Sequence, residues 1–567
     1  MRHTDMNFII GRLSRCLQVV SLVFFVASGA GAQNITGRIT CGGRGVKGVS
    51  VSDGDEVALT DKEGYYALQS QKRNGYVFYS LPRGYEPEVQ DGFKPQFWAS
   101  LRSSDLSASE VHDFRLLKVK NDRYDIMIGA DTHLADRAND LEQFREGFIP
   151  CLEKERMMAD GRRLYSMLLG DLTWDVYWTQ NRFDLHDFMR TLKEMKYDAM
   201  LWPVIGNHDN DPSVPASTET DFLSSTPWRS IVCPNYYSFN LGRVHYVVLD
   251  DIYYKNEDTG GQYAEGVVGG RNYDGMITEE QFRWLQKDLA QVKDKSTPVI
   301  VALHIPTTKL NDTDFSTVTD KLAGGGTLRL FDALREFSTV HVVSGHTHYN
   351  YTAHPKEYPN VTEHNIAAVC AVWWNSGKAS GFHNCKDGSP GGYSLWQVDG
   401  KKLKWQYHSM EENGETQMRV YDMNAVRDFY RTDADMKALM QKFPDRMDYG
   451  QMSDNIVMAN VFAYDDDWKV EFLENGNPLT AERVAAEDPF HTLAYDLAAF
   501  RKNGNPSKGS MSNRTLHMFQ AKAQTANEPV TVRVTDSFGR VYEHTIRRPH
   551  VYGLNMEDLE EKIYRDK

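Results

Sequence analysis

The chain has 567 residues, 41% hydrophobic and 25% charged, a composition ordinary for a globular protein but a length too great for one hydrophobic core. About three or four domains are expected. Its formal net charge of −14 argues against a nucleic-acid or anionic-lipid partner, because such a surface repels both and no long basic run offsets it.

At the start of the chain, Arg2, Arg12 and Arg15 precede an apolar run over 17–27, followed by Ser28-Gly29-Ala30-Gly31-Ala32-Gln33. A basic start, a short apolar stretch and an Ala-x-Ala ending predict a secretory signal peptide over 1–32, cut after Ala32. The alternative, an uncleaved anchor, would need about 20 apolar residues, and this run is shorter. Neither Cys16 nor Cys41 follows a lipobox-like Leu-x-Gly or Leu-x-Ala, which argues against a lipid anchor. The mature protein is therefore expected in the periplasm or outside the cell, with no stable membrane insertion. Cys41, Cys151, Cys233, Cys370 and Cys385 remain after cleavage, an odd number. In an oxidising compartment Cys370 and Cys385, which would close a short loop, are the expected pair.

Residues 33–118 read as a small β-sandwich, with alternating runs at 35–39 and 49–51 and turns at Gly42-Gly43, Asp53-Gly54 and Lys62-Glu63-Gly64. The phrase Thr60-Asp61-Lys62-Glu63-Gly64-Tyr65-Tyr66 resembles the turn of carboxypeptidase-regulatory-like, transthyretin-type domains. From 119 to 375 the pattern changes to strands at 124–128, 166–169, 200–205, 244–249, 298–303 and 340–344, separated by helical spacings. Leu141, Phe144, Phe148 and Leu152 share one such face, and Leu185, Phe188, Leu192 and Met195 another. Phe282, Leu285, Leu289 and Val292 make a third, and Leu328, Phe331 and Leu334 a fourth. This alternation predicts a layered α/β domain. Beyond about 375 helical signals fade, and 376–567 reads as a C-terminal β-sandwich ending in a short surface helix at 556–567.

The residues able to do chemistry stand at the ends of these strands. Gly129-Ala130-Asp131-Thr132-His133 comes after the first, Gly170-Asp171 after the second and Gly206-Asn207-His208-Asp209 after the third. His304 comes after the 298–303 strand, and Gly345-His346-Thr347-His348 after the 340–344 strand. Metal-capable side chains thus collect at the carboxyl ends of strands, the edge at which open α/β sheets place their sites. The glycines permit a sharp turn and close backbone approach, and ligands two residues apart can face one side of an extended segment. Carboxylate, amide oxygen and imidazole together suit Mn, Fe or Zn.

This ordered set resembles the calcineurin-like metallophosphoesterases, in the bacterial subgroup with N- and C-terminal β accessory domains. Ala371-Val372-Trp373-Trp374 and Asp387-Gly388-Ser389-Pro390-Gly391-Gly392-Tyr393 add to the likeness. The resemblance implies a four-layer α/β/β/α sandwich over 119–375 and two divalent ions. Asp131, His133 and His348 would hold one ion, Asn207, His304 and His346 the other, with Asp171 bridging. A hydroxide between the ions would attack phosphorus, and His208 would serve the leaving oxygen. Asp175 and Asp209 are expected to orient histidines. Purple acid phosphatases have Tyr where Trp174 stands in Gly170-Asp171-Leu172-Thr173-Trp174, and indole is no metal ligand, so a ferric enzyme is disfavoured.

Trp373 and Trp374 are expected as a stacking platform for substrate, with buried core the alternative for both. The turn-rich stretches 210–230 and 253–276 are expected to shape access to the site. The reading is a secreted hydrolase of phosphomonoesters or phosphodiesters of a small molecule or glycan. The competing reading is a non-enzymatic surface or glycan-binding protein on the same scaffold.

Overall fold

The central strands are apolar at nearly every position, which suits a sheet covered on both faces. In the computed structural model, which describes residues 33–410 and 416–553, they form two mixed sheets. The expected signal peptide and the expected helix at 556–567 lie outside the described residues. In the first sheet Arg123–Gly129 lies beside Arg163–Leu169, and that strand beside Met200–Val204, all parallel. In the second, Val244–Val248, Val299–Ala302, Val340–Ser344 and Val361–Asn365 run parallel, with Tyr237–Leu241 and Tyr351–Ala353 antiparallel at the edges. The sheets pack face to face. The Tyr124 and Tyr246 hydroxyls meet at 2.8 Å between them, and Trp396 of the first sheet lies on His341 and His364 of the second, with centroids 5.1 and 5.0 Å apart.

The flanking helices start where their caps dictate. Asp184 accepts the N–H groups of His186 and Asp187 at the head of Leu185–Glu194, and Thr278 accepts that of Gln281 at the head of Glu279–Leu289. The long helix Asp140–Met158 buries Phe144, Phe148 and Leu152 on its inner face.

The first sheet continues past residue 375. The hairpin Gly392–Asp399 and Lys402–Ser409 pairs antiparallel with Arg123–Gly129, in register from Arg123↔Asp399 to Ile128↔Ser394. Its physical effect is to cover an edge that Arg123–Gly129 would otherwise expose.

On the N-terminal side, a six-stranded sheet containing Ile35–Cys41 and Phe114–Lys118 faces a four-stranded one containing Ser50–Ser52 and Tyr76–Tyr79. This unit abuts the central domain through Phe97 on Trp202, centroids 5.2 Å apart, and through the Tyr165 hydroxyl, which donates to Glu86 at 2.6 Å.

On the C-terminal side, two four-stranded sheets enclose Val420, Val457, Phe472 and Val532. The region is not purely β. Met423–Thr432 and Ala434–Lys442 are helices, and a helical run over 489–503 packs with them around Val426, Tyr430, Met436, Leu439 and Phe490. Expecting helical signals to fade there overlooked the caps Asp422 and Asp433, which accept the N–H groups of Asn424 and Met436.

The expected Cys370–Cys385 bridge is absent. Both are free, buried thiols, and each is turned onto a backbone carbonyl: Cys370 toward Ala371 at 3.7 Å, Cys385 toward Ala368 at 3.5 Å. Among the described residues no helix is long and apolar enough to cross a membrane.

Candidate metal centre

The strand-end residues converge. Nε2 of His133 and Nε2 of His348 lie 3.2 Å apart, with Asp131 Oδ1 at 3.8 Å from the first and 3.5 Å from the second. Asp171 Oδ2 lies 3.4 Å from Nε2 of His133 and 3.3 Å from Nε2 of His304. Nε2 of His304 is in turn 3.1 Å from Asn207 Oδ1 and 3.1 Å from Nδ1 of His346. Two knots of nitrogen and oxygen atoms therefore share one carboxylate oxygen, that of Asp171.

Ring orientation is set by backbone carbonyls. Nδ1 of His348 donates to Ala371 at 2.6 Å and Nδ1 of His304 to Leu169 at 2.7 Å, which turns the Nε2 lone pair of each ring inward. In both knots ring nitrogens face one another at hydrogen-bond distance, His133 to His348 at 3.2 Å and His304 to His346 at 3.1 Å. Asp131 Oδ1 is buried and accepts no hydrogen bond. Such a set of acceptors is what a divalent cation satisfies, so the residues fit metal ions at both knots.

The backbone is held under strain to build this. Asp131, His133, Asp171, His346 and His348 all have positive φ, from 42° to 69°. Each such residue costs roughly 1–3 kcal/mol, which the surrounding sheets must overcome. Two glycines serve close approach. A Cβ on Gly206 would lie 2.1 Å from the Asp171 nitrogen, and one on Gly345 would lie 2.7 Å from Asp131 Oδ2.

Electrostatics in the knots conflict. Burial raises Asp131 to about 7, with the neighbouring Asp171 adding to the shift and His304 opposing it. Burial likewise lowers His348 to about 3, helped by the Lys386 ammonium. At His304 the order of effects reverses, since burial would lower it but Asp171 carries it up to about 10. Asp171 itself stays well below the usual carboxylate range because His304 and His208 outweigh its burial.

His208 stands beside the knots, its ring 5.2 Å from that of His133. Nδ1 of His208 lies 2.7 Å from Asp175 Oδ1. Asp209 makes no hydrogen bond with a histidine side chain among the described residues. Its carboxylate accepts the N–H groups of Gly206, Leu172 and Thr173 at 2.9–3.1 Å and so ties two strand-end loops together.

The two tryptophans divide. Trp374 is core: it is fully buried, and its Nε1 donates to the Thr132 carbonyl at 2.8 Å. Trp373 is half-buried, with its ring 4.5 Å from that of His348. Sequence reasoning overlooked Arg271, whose Nη1 donates to Asp175 Oδ1 at 2.6 Å. The only signal for it was its place in the 253–276 loop. It also overlooked Asp251, which accepts the N–H groups of His304 and Ile305 at 3.2 and 2.9 Å.

Residues 96–350 match calcineurin-like phosphoesterase, 33–119 the N terminal of calcineurin-like phosphoesterase and 363–542 its C terminal. No curated protein matches the chain. Among solved structures it is similar to GAP50, the anchor in the inner membrane complex of Plasmodium, at 10% identity and a TM-score of 0.29, covering 51% of this chain and 86% of that one. It is similar also to the 5'-nucleotidase of Candida albicans, at 10% identity and a TM-score of 0.28, covering 51% of this chain and 52% of that one. A third is the NAD nucleotidase of Haemophilus influenzae, at 10% identity and a TM-score of 0.25, covering 51% and 56%. The chain thus spans about half the length of both nucleotidases. These likenesses are too low to bear on substrate, and the assignment rests on the three family matches that together run along most of the chain. The chain belongs to the calcineurin-like phosphoesterases, metal-dependent phosphoester hydrolases, in the form with N- and C-terminal domains flanking the catalytic one.

Proposed function

We propose that this protein is an exported phosphoesterase with a dinuclear centre. Asp131, His133 and His348 would hold one divalent ion and Asn207, His304 and His346 the other, with Asp171 within reach of both. The observation that carries this reading is the sharing of Asp171 Oδ2 between two knots of lone pairs, 3.4 Å from His133 and 3.3 Å from His304. Two ions held there would polarise a phosphoryl group and lower the pKa of a water between them.

The remaining work falls to the chain. With Nδ1 of His208 committed to Asp175, Nε2 is the ring atom left to pass a proton to the leaving oxygen. Arg271 fixes the same carboxylate. His348 and His304 are kept in the ligating tautomer by the Ala371 and Leu169 carbonyls. The substrate is a phosphate ester of a small molecule or glycan. The sequence over 1–32 supports export to the periplasm or beyond, and N-terminal sequencing of the exported protein should begin at Gln33. The strand pairing favours a catalytic unit of about 119–410, with accessory domains on either side.

Hydrolysis of p-nitrophenyl phosphate and bis-p-nitrophenyl phosphate by the full chain, apo and loaded with Mn, Zn or Fe, tests the reading. Metal-dependent turnover that Asp171→Asn abolishes is expected. A folded, metal-loaded chain inert on both esters, or a turnover indifferent to Asp171→Asn, would overturn it.

A further inference from the structure

His346 and His348 stand two residues apart, but different parts of the chain hold them. The His346 N–H donates to Asp131 Oδ2 at 2.8 Å, inside the cluster itself. The His348 segment is tied instead to the loop over 384–390. The His348 carbonyl accepts the Lys386 N–H at 3.4 Å, and two residues on the Asn350 N–H donates to Asp387 Oδ2 at 2.7 Å. His348 keeps φ at 59°, a strained conformation that such contacts must hold.

The loop is clasped in turn from the C-terminal side. The carbonyls of three successive residues are taken by donors there. That of Lys386 accepts the Asn513 N–H at 2.9 Å and the Ser512 hydroxyl at 3.3 Å. That of Asp387 accepts the Asn460 amide at 2.8 Å, and that of Gly388 accepts Nη1 of Arg419 at 2.7 Å. Gly388 also lies so close to Asp488 that a Cβ on it would stand 2.1 Å from the Asp488 Cγ.

One C-terminal side chain reaches the Asp387 carboxylate itself. Nε2 of His517, on the strand Arg514–Lys522, lies 3.1 Å from Oδ2, the oxygen that accepts the Asn350 N–H. Nδ1 of His517 has no partner among the described residues, so the ring proton belongs on Nε2 and His517 donates. Ser389 supplies two further donors, its N–H to Oδ1 and its hydroxyl to Oδ2, at 2.9 Å each. Asp387 and His517 are both buried, so these donors rather than water aim the carboxylate at the 348–350 backbone.

We propose that the C-terminal domain, through His517 and Asp387, positions His348 as a metal ligand. The ion held with Asp131 and His133 then depends on that domain, whereas the ion held by Asn207, His304 and His346 does not. This rests on the dinuclear reading of the metal centre. His517 touches neither ion nor substrate and is a positioning residue, acting through Asp387. Groups that orient a ligating histidine commonly govern metal affinity by about 10–100-fold.

Calorimetric titration of the metal-free full chain with Mn tests this without turnover. The wild type is expected to take up two Mn. His517→Leu should weaken one of the two sites roughly tenfold and leave the other as it was. His517→Gln, whose Nε2 still has a proton to donate to Asp387, should recover most of that loss. Asp387→Asn, which keeps the shape of the loop and weakens the acceptor, should weaken the same site. In electron paramagnetic resonance at two Mn per chain, the wild type should show the spectrum of a coupled pair and His517→Leu a share of isolated Mn. Val532→Ala, which opens a gap in the C-terminal core away from this path, is the control and should leave both affinities unchanged. Circular dichroism shows that each variant is folded. Unchanged binding in His517→Leu and Asp387→Asn, an equal loss at both sites, a loss that His517→Gln fails to recover, or the same loss in Val532→Ala would overturn the inference. A wild type that binds a single Mn would overturn the dinuclear reading, and the response of that ion to His517→Leu and His517→Gln would still decide the inference. One that binds none would overturn both.

Discussion

Arg271 and His208 meet on one oxygen atom: Nη1 of the arginine lies 2.6 Å, and Nδ1 of the histidine 2.7 Å, from Oδ1 of Asp175. Asp175 is almost wholly buried, so its charge reaches the imidazole little screened by water, and the arginine limits how far the carboxylate can turn. If this chain of contacts aims a proton at the leaving oxygen, its loss should matter most when the leaving group is a poor one. Asp175→Asn and Arg271→Ala are each expected to lower kcat on an alkyl phosphate by roughly 10²-fold, within the range for general acid catalysis. On 2,4-dinitrophenyl phosphate, whose leaving oxygen needs no proton, the loss should shrink to a few-fold. Equal losses on both esters would reduce the contact to structural support.

Gly206 is expected to tolerate no side chain. A Cβ there would stand 2.1 Å from the Asp171 nitrogen and 2.4 Å from its Oδ1. The overlap falls on backbone and on the shared carboxylate, so relaxation would displace Asp171. Gly206→Ala should cost roughly 3 kcal/mol or more in stability, as overpacking does, and should also lower the bound Mn per chain. Gly43→Ala makes the control, because its φ is +77° but nothing lies within 4 Å. It should cost only about 1 kcal/mol through the backbone and leave metal content intact. Thermal unfolding together with metal analysis distinguishes the two outcomes.

Arg446 illustrates a charge that the C-terminal domain cannot lose. Its Nε and Nη2 donate to Glu487 and Asp496 at 2.7 Å each, with all three side chains at most 10% exposed. Arg446→Ala would strand two buried carboxylates, at a cost of about 3–5 kcal/mol. Urea unfolding monitored at near-ultraviolet wavelengths should show that loss, and Arg446→Lys should recover part of it. A change below about 1 kcal/mol would mean that water reaches the carboxylates.

The cluster of polar side chains at the strand ends was legible because local signals agreed. An apolar run, a glycine and a polar residue recur at Asp131, Asp171, Asn207 and His346, and each part has a physical reason to be there. The hairpin Gly392–Ser409 was not legible in that way. Its alternation says strand but not which sheet, and pairing with Arg123–Gly129 is a contact across more than 260 positions, set by an otherwise open edge. Arg271 belongs to no motif, and it acquires its meaning from a partner, Asp175, brought near by the fold. Asp209 was misread for the opposite reason. Its place in Gly206-Asn207-His208-Asp209 suggests a histidine partner, whereas the tight turn presents it with three backbone N–H groups.

His341 and His364 form a buried pair between the two central sheets, Nδ1 to Nε2 at 3.0 Å, with Trp396 and Trp405 packed on both rings. Burial pushes His341 down to about 4 and His364 well below its ordinary value. The Asp465 carboxylate opposes the shift at His341, while the His354 imidazole reinforces it at both. In the unfolded chain these rings titrate near 6.5. Between about pH 6.5 and 4 the unfolded state therefore binds more protons, and stability must fall as the pH drops through that window, with no contribution above it. The urea midpoint of the Mn-loaded protein should decrease from pH 7.5 to 5.0. In His341→Gln, compared under the same metal loading so that the ligand histidines cancel, the decrease should be smaller even if the variant is less stable at pH 7.5. Parallel curves for the two proteins would mean that the ring at 341 takes up its proton without unfolding, through a path for water between the sheets.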